Sequence, residues 1–278
     1  MLKQRITTAL ILAPLLLLAV IFLNTPWLAA LLSGVILVGA WEWTRLAALK
    51  PVESVAFYAA AALAMAGVYF YPEQLGIDNW LLWSALLWWA GISVIILRYV
   101  PRPIDHQQGL VRLSKAMMGL IALVPAWWSL VQLHASPDHG VSYFLYVFFL
   151  VWAADVGAYF SGKTLGRHKL APNVSPGKTV EGVLGGLASV AALGAAAAFW
   201  FEYDGRQAAV FIALSLLAAL FSVFGDLFES LLKRQVDLKD SSQLLPGHGG
   251  VLDRIDSVLA AAPVFLFGLT YFMTTQIA

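Results

Sequence analysis

Apolar residues along this chain form long stretches separated by short polar segments. A helix that crosses a bilayer needs about 20 mostly apolar residues, and nine stretches approach that length. They cover residues 7–23, 27–43, 55–71, 80–97, 116–134, 141–160, 180–201, 208–224 and 257–275. The pattern predicts an all-α, polytopic integral membrane protein with about nine transmembrane helices.

Lys and Arg residues fall almost entirely on one side of these predicted helices. In membrane proteins, short cytoplasmic loops carry an excess of Lys and Arg. If the N-terminus is cytoplasmic, 16 of the 17 Lys and Arg residues, including Arg102, lie in inside segments. The exception is Arg206. The distribution therefore predicts a cytoplasmic N-terminus and an outside C-terminus.

The composition supports a membrane protein and excludes several other classes. Of the 278 residues, 60% are hydrophobic and 12% are charged, whereas soluble domains average roughly 25% charged residues. A net charge of +1 provides no general basic field, so we expect no nucleic-acid partner. The absence of Cys excludes disulfides, thiolate metal sites and cysteine nucleophiles, and five His residues argue against a histidine metal cage.

Polar residues that could carry chemistry concentrate in the second half of the chain. We therefore divide it into residues 1–115, with helices one to four, and residues 116–278, with helices five to nine. The first region is expected to be a scaffold, a dimer contact or a lipid-facing surface. The second is expected to be catalytic, with cytoplasmic loops at 161–179 and 225–256.

Four polar residues recur at helical spacing where the eighth predicted helix ends. Asp226, Ser230, Lys233 and Asp237 are four, three and four residues apart, which places them on one face if the helix continues beyond the lipid. An acid followed by a hydroxyl and an ammonium suits a metal and a phosphate. The alternative is an ordinary amphipathic helix end with solvated charges.

Residues 245–250, Leu-Pro-Gly-His-Gly-Gly, predict a tight turn, because Pro removes a backbone donor and Gly allows unusual backbone angles. The amides of Gly249 and Gly250 are expected to form an anion nest. His248 either hydrogen-bonds its own turn or contacts a phosphate or a metal, and the two interpretations have similar weight.

Carboxylates on both sides of this turn predict a site for a divalent cation. Mg²⁺ takes oxygen ligands and is typically held by one or two carboxylates together with substrate phosphates. Asp226 and Asp253 form the best pair for this role. Three other acids compete for it but are better suited to orienting basic side chains: Asp237, Asp240 and Asp256.

The segment Ser175-Pro-Gly-Lys178-Thr179 opens the seventh predicted helix. It ends like a Walker P-loop, but Pro172 stands where the first glycine is required and no strand precedes it, so a P-loop is excluded. Hydroxyls and an ammonium at a helix N-terminus suit a phosphate. The alternative is an N-cap, with Lys178 extending to the membrane interface.

Four acids within or next to the predicted helices lie close to their inside ends. They are Glu42, Asp155, Glu181 and Asp226. Ionisable residues within membrane segments are usually functional. Because none lies at the midplane, where a transport site is expected, they favour a cavity that opens to the cytoplasm.

One long run of residues carries a family signature. It comprises Ser230, Lys233-Arg234, Lys239-Asp240 and the segment Leu245-Pro-Gly-His-Gly-Gly-Val-Leu-Asp-Arg-Ile-Asp256. These residues resemble the signature of the phosphatidate cytidylyltransferases, also called CDP-diacylglycerol synthases. Asp155 and the segment from Ser175 to Gly182 are similar to that family as well, so the likeness covers about residues 150–270. Val180 stands where the family often has Trp, which affects local packing more than chemistry.

The resemblance implies transfer of a cytidylyl group from CTP to phosphatidic acid, which gives CDP-diacylglycerol and pyrophosphate and requires Mg²⁺. A second metal ion or a monovalent cation stays open, and family members are similar in forming homodimers. By the same resemblance, Asp226 and Asp253 are metal ligands and act in catalysis with Lys233, Lys239 and Arg254. Residues expected to bind the substrates are Asp155, Ser175, Lys178, Thr179, Glu181, Ser230, Arg234, Asp240, His248, Gly249, Gly250 and Asp256.

The expected reaction is an in-line displacement in which a phosphatidate oxygen attacks the α-phosphorus of CTP, so no protein nucleophile is needed. We expect it at the cytoplasmic face of a bacterial inner (cell) membrane, because CTP arrives from water while the acyl chains of the membrane lipid stay in the bilayer. Spacing does not separate α from γ attack, which leaves a CTP-dependent lipid kinase or a cytidylyltransferase for another lipid phosphate as alternatives. A transporter is the alternative outside enzymes.

Overall fold

The computed structural model describes residues 2–71, 77–101, 104–106 and 108–273. In these residues the chain forms nine α-helices, a terminal π-helix and one two-stranded sheet. The helices are α1 (Leu2–Phe22), α2 (Thr25–Leu46), α3 (Pro51–Phe70), α4 (Ile77–Leu97), α5 (Gly109–Ala135), α6 (Gly140–Leu165), α7 (Val180–Trp200), α8 (Gly205–Gln235), α9 (Leu252–Gly268) and the π-helix (Leu269–Met273). Arg102, both chain ends and the last residues of the ninth predicted stretch lie outside the described residues.

Each of the nine predicted apolar stretches coincides with one of these helices. Within the described residues, α2 to α9, the last extended by the π-helix, are long and apolar enough to cross a membrane. The apolar part of α1, Leu10–Phe22, is shorter. The all-α class of a polytopic membrane protein is therefore confirmed, while the number of crossings and the orientation of the chain ends stay predictions.

Helix α8 is longer than a bilayer requires. Its 31 residues span about 46 Å at roughly 1.5 Å per residue, whereas the hydrocarbon core is about 30 Å thick. The expected loop 225–256 is consequently helical as far as Gln235 and again from Leu252. The helix continues because apolar residues of this part are buried and extend its packed face: Leu227, Phe228, Leu231 and Leu232.

Polar side chains define where α7 and α8 begin. At α8, the Gln207 amide donates to Asp204 Oδ1 at 2.8 Å and the Asp204 amide donates to Gln207 Oε1 at 3.1 Å. At α7, the Gly182 amide donates to Thr179 Oγ1 at 3.1 Å. These bonds satisfy backbone donors that have no partner within a helix, so both starts are determined by local sequence.

A β-hairpin occupies much of the expected loop 161–179. Strands β1 (Lys169–Ala171) and β2 (Ser175–Thr179) are antiparallel, with Lys169 opposite Thr179 and Ala171 opposite Ser175. Ala171, the last residue of β1, and Val174, in the turn, are 4% and 2% exposed. An isolated hairpin is marginally stable, so burial of its turn against the helices explains why it forms here.

Glycines bring two pairs of helices close together near the polar end of the bundle. A Cβ on Gly186 of α7 would lie 2.7 Å from the Ala154 carbonyl oxygen of α6. A Cβ on Gly225 of α8 would collide with the Asp256 carbonyl oxygen and lie 3.2 Å from Ala260 Cβ of α9. The helices that carry most of the predicted site residues are therefore packed backbone to backbone.

Candidate active site

A buried lysine joins α8 to α9. Lys233 Nζ donates to Glu229 Oε2 at 2.8 Å and to Asp253 Oδ1 at 2.6 Å. The side chains of Lys233, Glu229 and Asp253 are 12%, 3% and 6% exposed. One ammonium thus bridges two carboxyl groups away from water, so loss of Lys233 would leave both of them buried without their shared cation.

The predicted stripe along α8 holds for three of its four residues. Asp226, Ser230 and Lys233 lie in α8, and Ser230 Oγ donates to Asp226 Oδ1 at 3.2 Å. Asp237 lies beyond Gln235, where the helix ends, and its φ of 54° is left-handed. The placement of Asp237 on this face was wrong, because the chain leaves the helix before reaching it.

The hairpin segment meets α8 through an ion pair. Lys178 Nζ, at the end of β2, lies 2.7 Å from Asp226 Oδ2 and donates to the Val223 carbonyl oxygen at 3.4 Å. Asp155 of α6 lies within electrostatic range of Lys178, Asp226 and Arg254. Residues that are far apart in the sequence therefore meet at one end of the helix bundle.

The turn at 245–250 is closed by its own backbone. The Leu245 amide donates to the Gly249 carbonyl at 2.8 Å, and the His248 amide donates to the Leu245 carbonyl at 2.9 Å. Gly247 and Gly249 have φ values of 77° and 81°, which favour glycine. The prediction of a tight turn is confirmed.

Asp253 occupies the anion site that this turn was expected to offer. Its Oδ2 accepts hydrogen bonds from the Gly250 amide at 2.7 Å, the Ser241 amide at 2.9 Å and Ser241 Oγ at 2.9 Å. A Cβ on Gly249 would lie 2.7 Å from the same oxygen. The Gly250 amide therefore binds a carboxylate of the protein in this structure instead of being open to a substrate phosphate.

One ring nitrogen of His248 is buried without a partner in the described part of the chain. Its Nδ1 is buried and has no hydrogen-bond partner among the described residues. Leaving a buried polar atom unpaired costs roughly 1–3 kcal/mol, so such atoms in native structures call for an explanation. This nitrogen makes no bond within the turn among the described residues, and contact of His248 with a phosphate or a metal stays a prediction.

Two predicted substrate-binding residues have structural partners instead. Thr179 caps α7, which was the stated alternative for this segment. Glu181 accepts hydrogen bonds from the amides of Arg167 and His168 at 3.0 and 3.1 Å, and its Oε1 lies 2.5 Å from His168 Nδ1. These contacts connect the residues just before β1 to the start of α7. A third predicted residue, Ser175, lies in β2 opposite Ala171.

Three predicted basic residues are exposed at this end of the bundle: Arg234, Lys239 and Arg254. Within the described part of the chain, none of them lies within ion-pair distance of an acid. Asp240, expected to orient a basic side chain, is exposed as well, and its Cβ lies close to Gly249. The three cations are therefore accessible to phosphates that arrive from solution or from a lipid headgroup.

Asp226 and Asp253 offer oxygen ligands of the type that Mg²⁺ takes. A carboxylate offers about four lone-pair sites, and Asp226 uses one for Ser230 and one for Lys178. Among the residues that the structure describes, Lys233 is the one donor to Asp253 Oδ1. No group of three or more His, Asp or Glu in the described residues is arranged to hold a metal. Two carboxylates fit Mg²⁺ nevertheless, since substrate phosphates and water usually complete its coordination.

Two further carboxylates border this pair. Asp256 lies close to both Asp226 and Glu229, although the sequence suggested that it orients a basic side chain. Glu229 is buried beside Asp256 and also pairs with Lys233. Four carboxyl groups, those of Asp226, Glu229, Asp253 and Asp256, therefore lie near the ammonium groups of Lys178 and Lys233, an arrangement that an added cation would stabilise.

Comparison with known sequences decides the family. The sequence profile described as "Cytidylyltransferase family" matches residues 3–272. The chain belongs to the cytidylyltransferase family. The likeness to this family extends well beyond the residues 150–270 recognised from the signature and includes the N-terminal helices.

Relatives support this membership over nearly the full chain. A protein of Pseudomonas aeruginosa named phosphatidate cytidylyltransferase is 45% identical over 267 residues, which cover 95% of this chain and 96% of the relative. A Haemophilus influenzae protein of the same name is 42% identical over 289 aligned residues, with 96% and 98% coverage. One from Bacillus subtilis is 43% identical over 145 residues, about half of each chain.

The sequence did not assign three polar residues of the candidate site. Glu229 precedes Lys233 by four residues, a spacing that predicts a helical ion pair and could have identified it. Ser241 is one of many serines and has no distinguishing spacing. Glu42 was noted only as an acid near a helix end, and its partners follow it by 199 to 210 residues, so no local pattern could connect them.

Proposed function

We propose that this chain transfers the cytidylyl group of CTP to phosphatidate, forming CDP-diacylglycerol and pyrophosphate at the cytoplasmic face of a bacterial inner membrane. The proposal rests on two relatives named phosphatidate cytidylyltransferase, which are 45% and 42% identical to this chain over nearly its full length. The acids and cations gathered at one end of the helix bundle add a site of suitable chemistry.

The proposed step is an in-line displacement. A phosphate oxygen of phosphatidate attacks the α-phosphorus of CTP, a new P–O bond forms, and the bond from the α-phosphorus to the bridging oxygen breaks with release of pyrophosphate. No side chain has to form a covalent bond. The protein must bring two repelling anions together and stabilise the charge that develops, which accounts for a site built from charged groups.

The exposed cations are suited to the substrate phosphates. We assign Arg234, Lys239 and Arg254 to the triphosphate and the lipid phosphate together, because they are exposed and have no ion pair within the described residues. Lys178 and Lys233 are already paired with Asp226 and Asp253. Their role is to keep these acids charged and in position when no substrate is bound.

Mg²⁺ is part of the proposal. Asp226 and Asp253 would hold it, with Asp256 and Glu229 nearby for a second ion, metal or monovalent. When bound, the ion would neutralise charge on the triphosphate and on the leaving pyrophosphate. A homodimer belongs to the proposal by family resemblance alone.

The test uses purified protein, phosphatidate, Mg²⁺ and CTP labelled at either the α- or the γ-phosphorus. The proposal predicts that α-label enters the lipid and that γ-label leaves as pyrophosphate. Entry of γ-label into lipid with release of CDP would contradict it in favour of a lipid kinase. Movement of substrate across vesicles without any product would favour a transporter.

A further inference from the structure

A glutamate of the N-terminal half reaches the segment that joins α8 to α9. Glu42 lies near the end of α2, and it is 0% exposed. Its Oε1 accepts hydrogen bonds from Ser242 Oγ at 2.5 Å and the Val251 amide at 2.9 Å. Its Oε2 accepts from the Leu252 amide at 2.6 Å and lies 3.1 Å from Ser241 Oγ. One carboxylate therefore contacts the middle of this segment, at Ser241 and Ser242, and its end at Val251 and Leu252.

The charge of Glu42 is balanced by hydrogen-bond donors. Among the residues that the structure describes, no Lys, Arg or His lies within ion-pair distance of it. The Val251 and Leu252 amides stand at the start of α9, where the helix dipole favours negative charge. Because a buried carboxylate is costly without such partners, Glu42 and the start of α9 specify each other's positions.

Ser241 connects Glu42 to Asp253. Its hydroxyl lies 3.1 Å from Glu42 Oε2 and 2.9 Å from Asp253 Oδ2, while its amide donates to the same Asp253 oxygen at 2.9 Å. From the last turn of α2, Arg45 Nη1 donates to the Ser241 carbonyl at 2.8 Å. The end of α2 thus fixes both the side chain and the backbone of the residue that supports Asp253.

Gly250 is the residue that allows this approach. A Cβ at this position would collide with Glu42 Oε1 and with Ser241 Oγ. The backbone must come this close for the Gly250 amide to donate to Asp253 at 2.7 Å. The last glycine of the turn is therefore explained by contact with Glu42 and Ser241, with no need for a ligand at that position.

We propose that Glu42 is a positioning residue of the active site: its carboxylate holds the Ser241–Leu252 segment and, through Ser241, sets the position of Asp253. The proposal rests on the role of Asp253 given above. It also assigns the N-terminal half a direct part in building the site, beyond that of a scaffold.

Hydrogen exchange tests the proposal without substrate or metal. Glu42→Gln replaces one acceptor oxygen by an amide nitrogen that cannot accept, so at least one donor of the segment loses its partner. In detergent-solubilised protein we expect amides of residues 241–253 to exchange about ten-fold faster or more, with α7 unchanged. Unchanged exchange in residues 241–253 would overturn the proposal.

Kinetics give a second measurement. Residues that orient a metal ligand typically change metal affinity or activity by about 10- to 100-fold, so Glu42→Gln and Ser241→Ala should raise the Mg²⁺ concentration needed for half-maximal activity and lower kcat by that range. The KM for phosphatidate should change little. The double variant should lose less than the product of the two single losses, because both act through Asp253.

Glu53→Gln is the matched control. Glu53 is an acid of the same N-terminal half, it pairs with Arg112 at 2.8 Å, and it makes no contact with residues 241–252 in the described structure. This variant should keep the wild-type Mg²⁺ dependence even if it lowers stability. An equal change in Glu53→Gln would mean that general loosening explains the effect, and would overturn the positioning role.

Two further variants separate the possible failures. If Glu42→Gln does not fold, Ser241→Ala decides, since it removes only the connecting hydroxyl; wild-type exchange and Mg²⁺ dependence in Ser241→Ala would overturn the proposal. Asp253→Asn should be inactive. If it is active, the role of Asp253 itself is refuted. If it is inactive while Glu42→Gln and Ser241→Ala behave as wild type, only the positioning role of Glu42 fails.

Discussion

The buried lysine between α8 and α9 offers a direct test of how the site is held together. Lys233 Nζ contacts Glu229 and Asp253 at 2.8 and 2.6 Å, and their side chains are 3% and 6% exposed. Lys233→Met keeps the length and apolar stem of the side chain and removes the charge. Two carboxylates then stay buried without their shared cation.

Removal of one partner from a buried ion pair typically costs about 3–5 kcal/mol. For a chain of this size, each kcal/mol corresponds to roughly 2–4 °C in the melting temperature. The variant should therefore melt about 6 to 20 °C lower than the wild type. Addition of Glu229→Gln should recover part of this loss, because one of the two unpaired charges disappears.

Thermal unfolding in detergent, followed by intrinsic tryptophan fluorescence, measures this shift. Lys169→Met is the matched control, because Lys169 is exposed in β1 and surface substitutions usually change stability by less than about 0.5 kcal/mol. If the melting temperature of Lys233→Met falls no further than that of Lys169→Met, the reasoning about the buried charge cluster is refuted. A failure of Glu229→Gln to recover stability would indicate lost packing instead of unpaired charge.

Two further predictions concern the exposed cations and the close helix contact. Arg254→Ala should lower kcat/KM for CTP by about 10- to 150-fold, the loss of one charge-assisted hydrogen bond. Arg206 is exposed at the other end of α8, so Arg206→Ala should change kcat/KM by no more than about two-fold. Steady-state assays with labelled CTP compare the two variants, and equal effects would contradict the assignment of Arg254. Gly186→Ala should destabilise the protein by about 1–3 kcal/mol, because its Cβ would collide with Ala154. A Cβ on Gly34 would have nothing within 4 Å, so Gly34→Ala should be neutral or stabilising in the same thermal assay. A neutral Gly186→Ala would contradict the close packing of α6 and α7.

The helices could be predicted because their signal is local. The length of each apolar stretch reports a membrane helix directly, and every predicted stretch coincides with a helix in the structure. The hairpin could not be predicted in the same way. Its two short strands depend on burial of Ala171 and Val174 against other parts of the chain, which no neighbouring residue indicates.

In the candidate site, too, residues with a local sequence signal could be predicted and residues brought together only by folding could not. The carboxylates and cations of the signature segment were identified because they lie within 27 residues, and the structure joins Lys233 and Asp253 as an ion pair. The prediction for Asp237 failed because α8 ends at Gln235 and Asp237 adopts a left-handed backbone conformation. Glu42 could not be assigned, because only the folded chain brings it to the start of α9.

The central claim is that Asp226 and Asp253 hold the cation that assists cytidylyl transfer. The chain has no Cys, so Asp226→Cys and Asp253→Cys can be tested for metal rescue without background thiols. Thiolates bind soft metals well and Mg²⁺ poorly. We predict that both variants are inactive with Mg²⁺ and regain activity with Cd²⁺, while Asp237→Cys is active with Mg²⁺ throughout. Full activity of either variant with Mg²⁺, or no recovery with Cd²⁺ in folded protein, would contradict the claim.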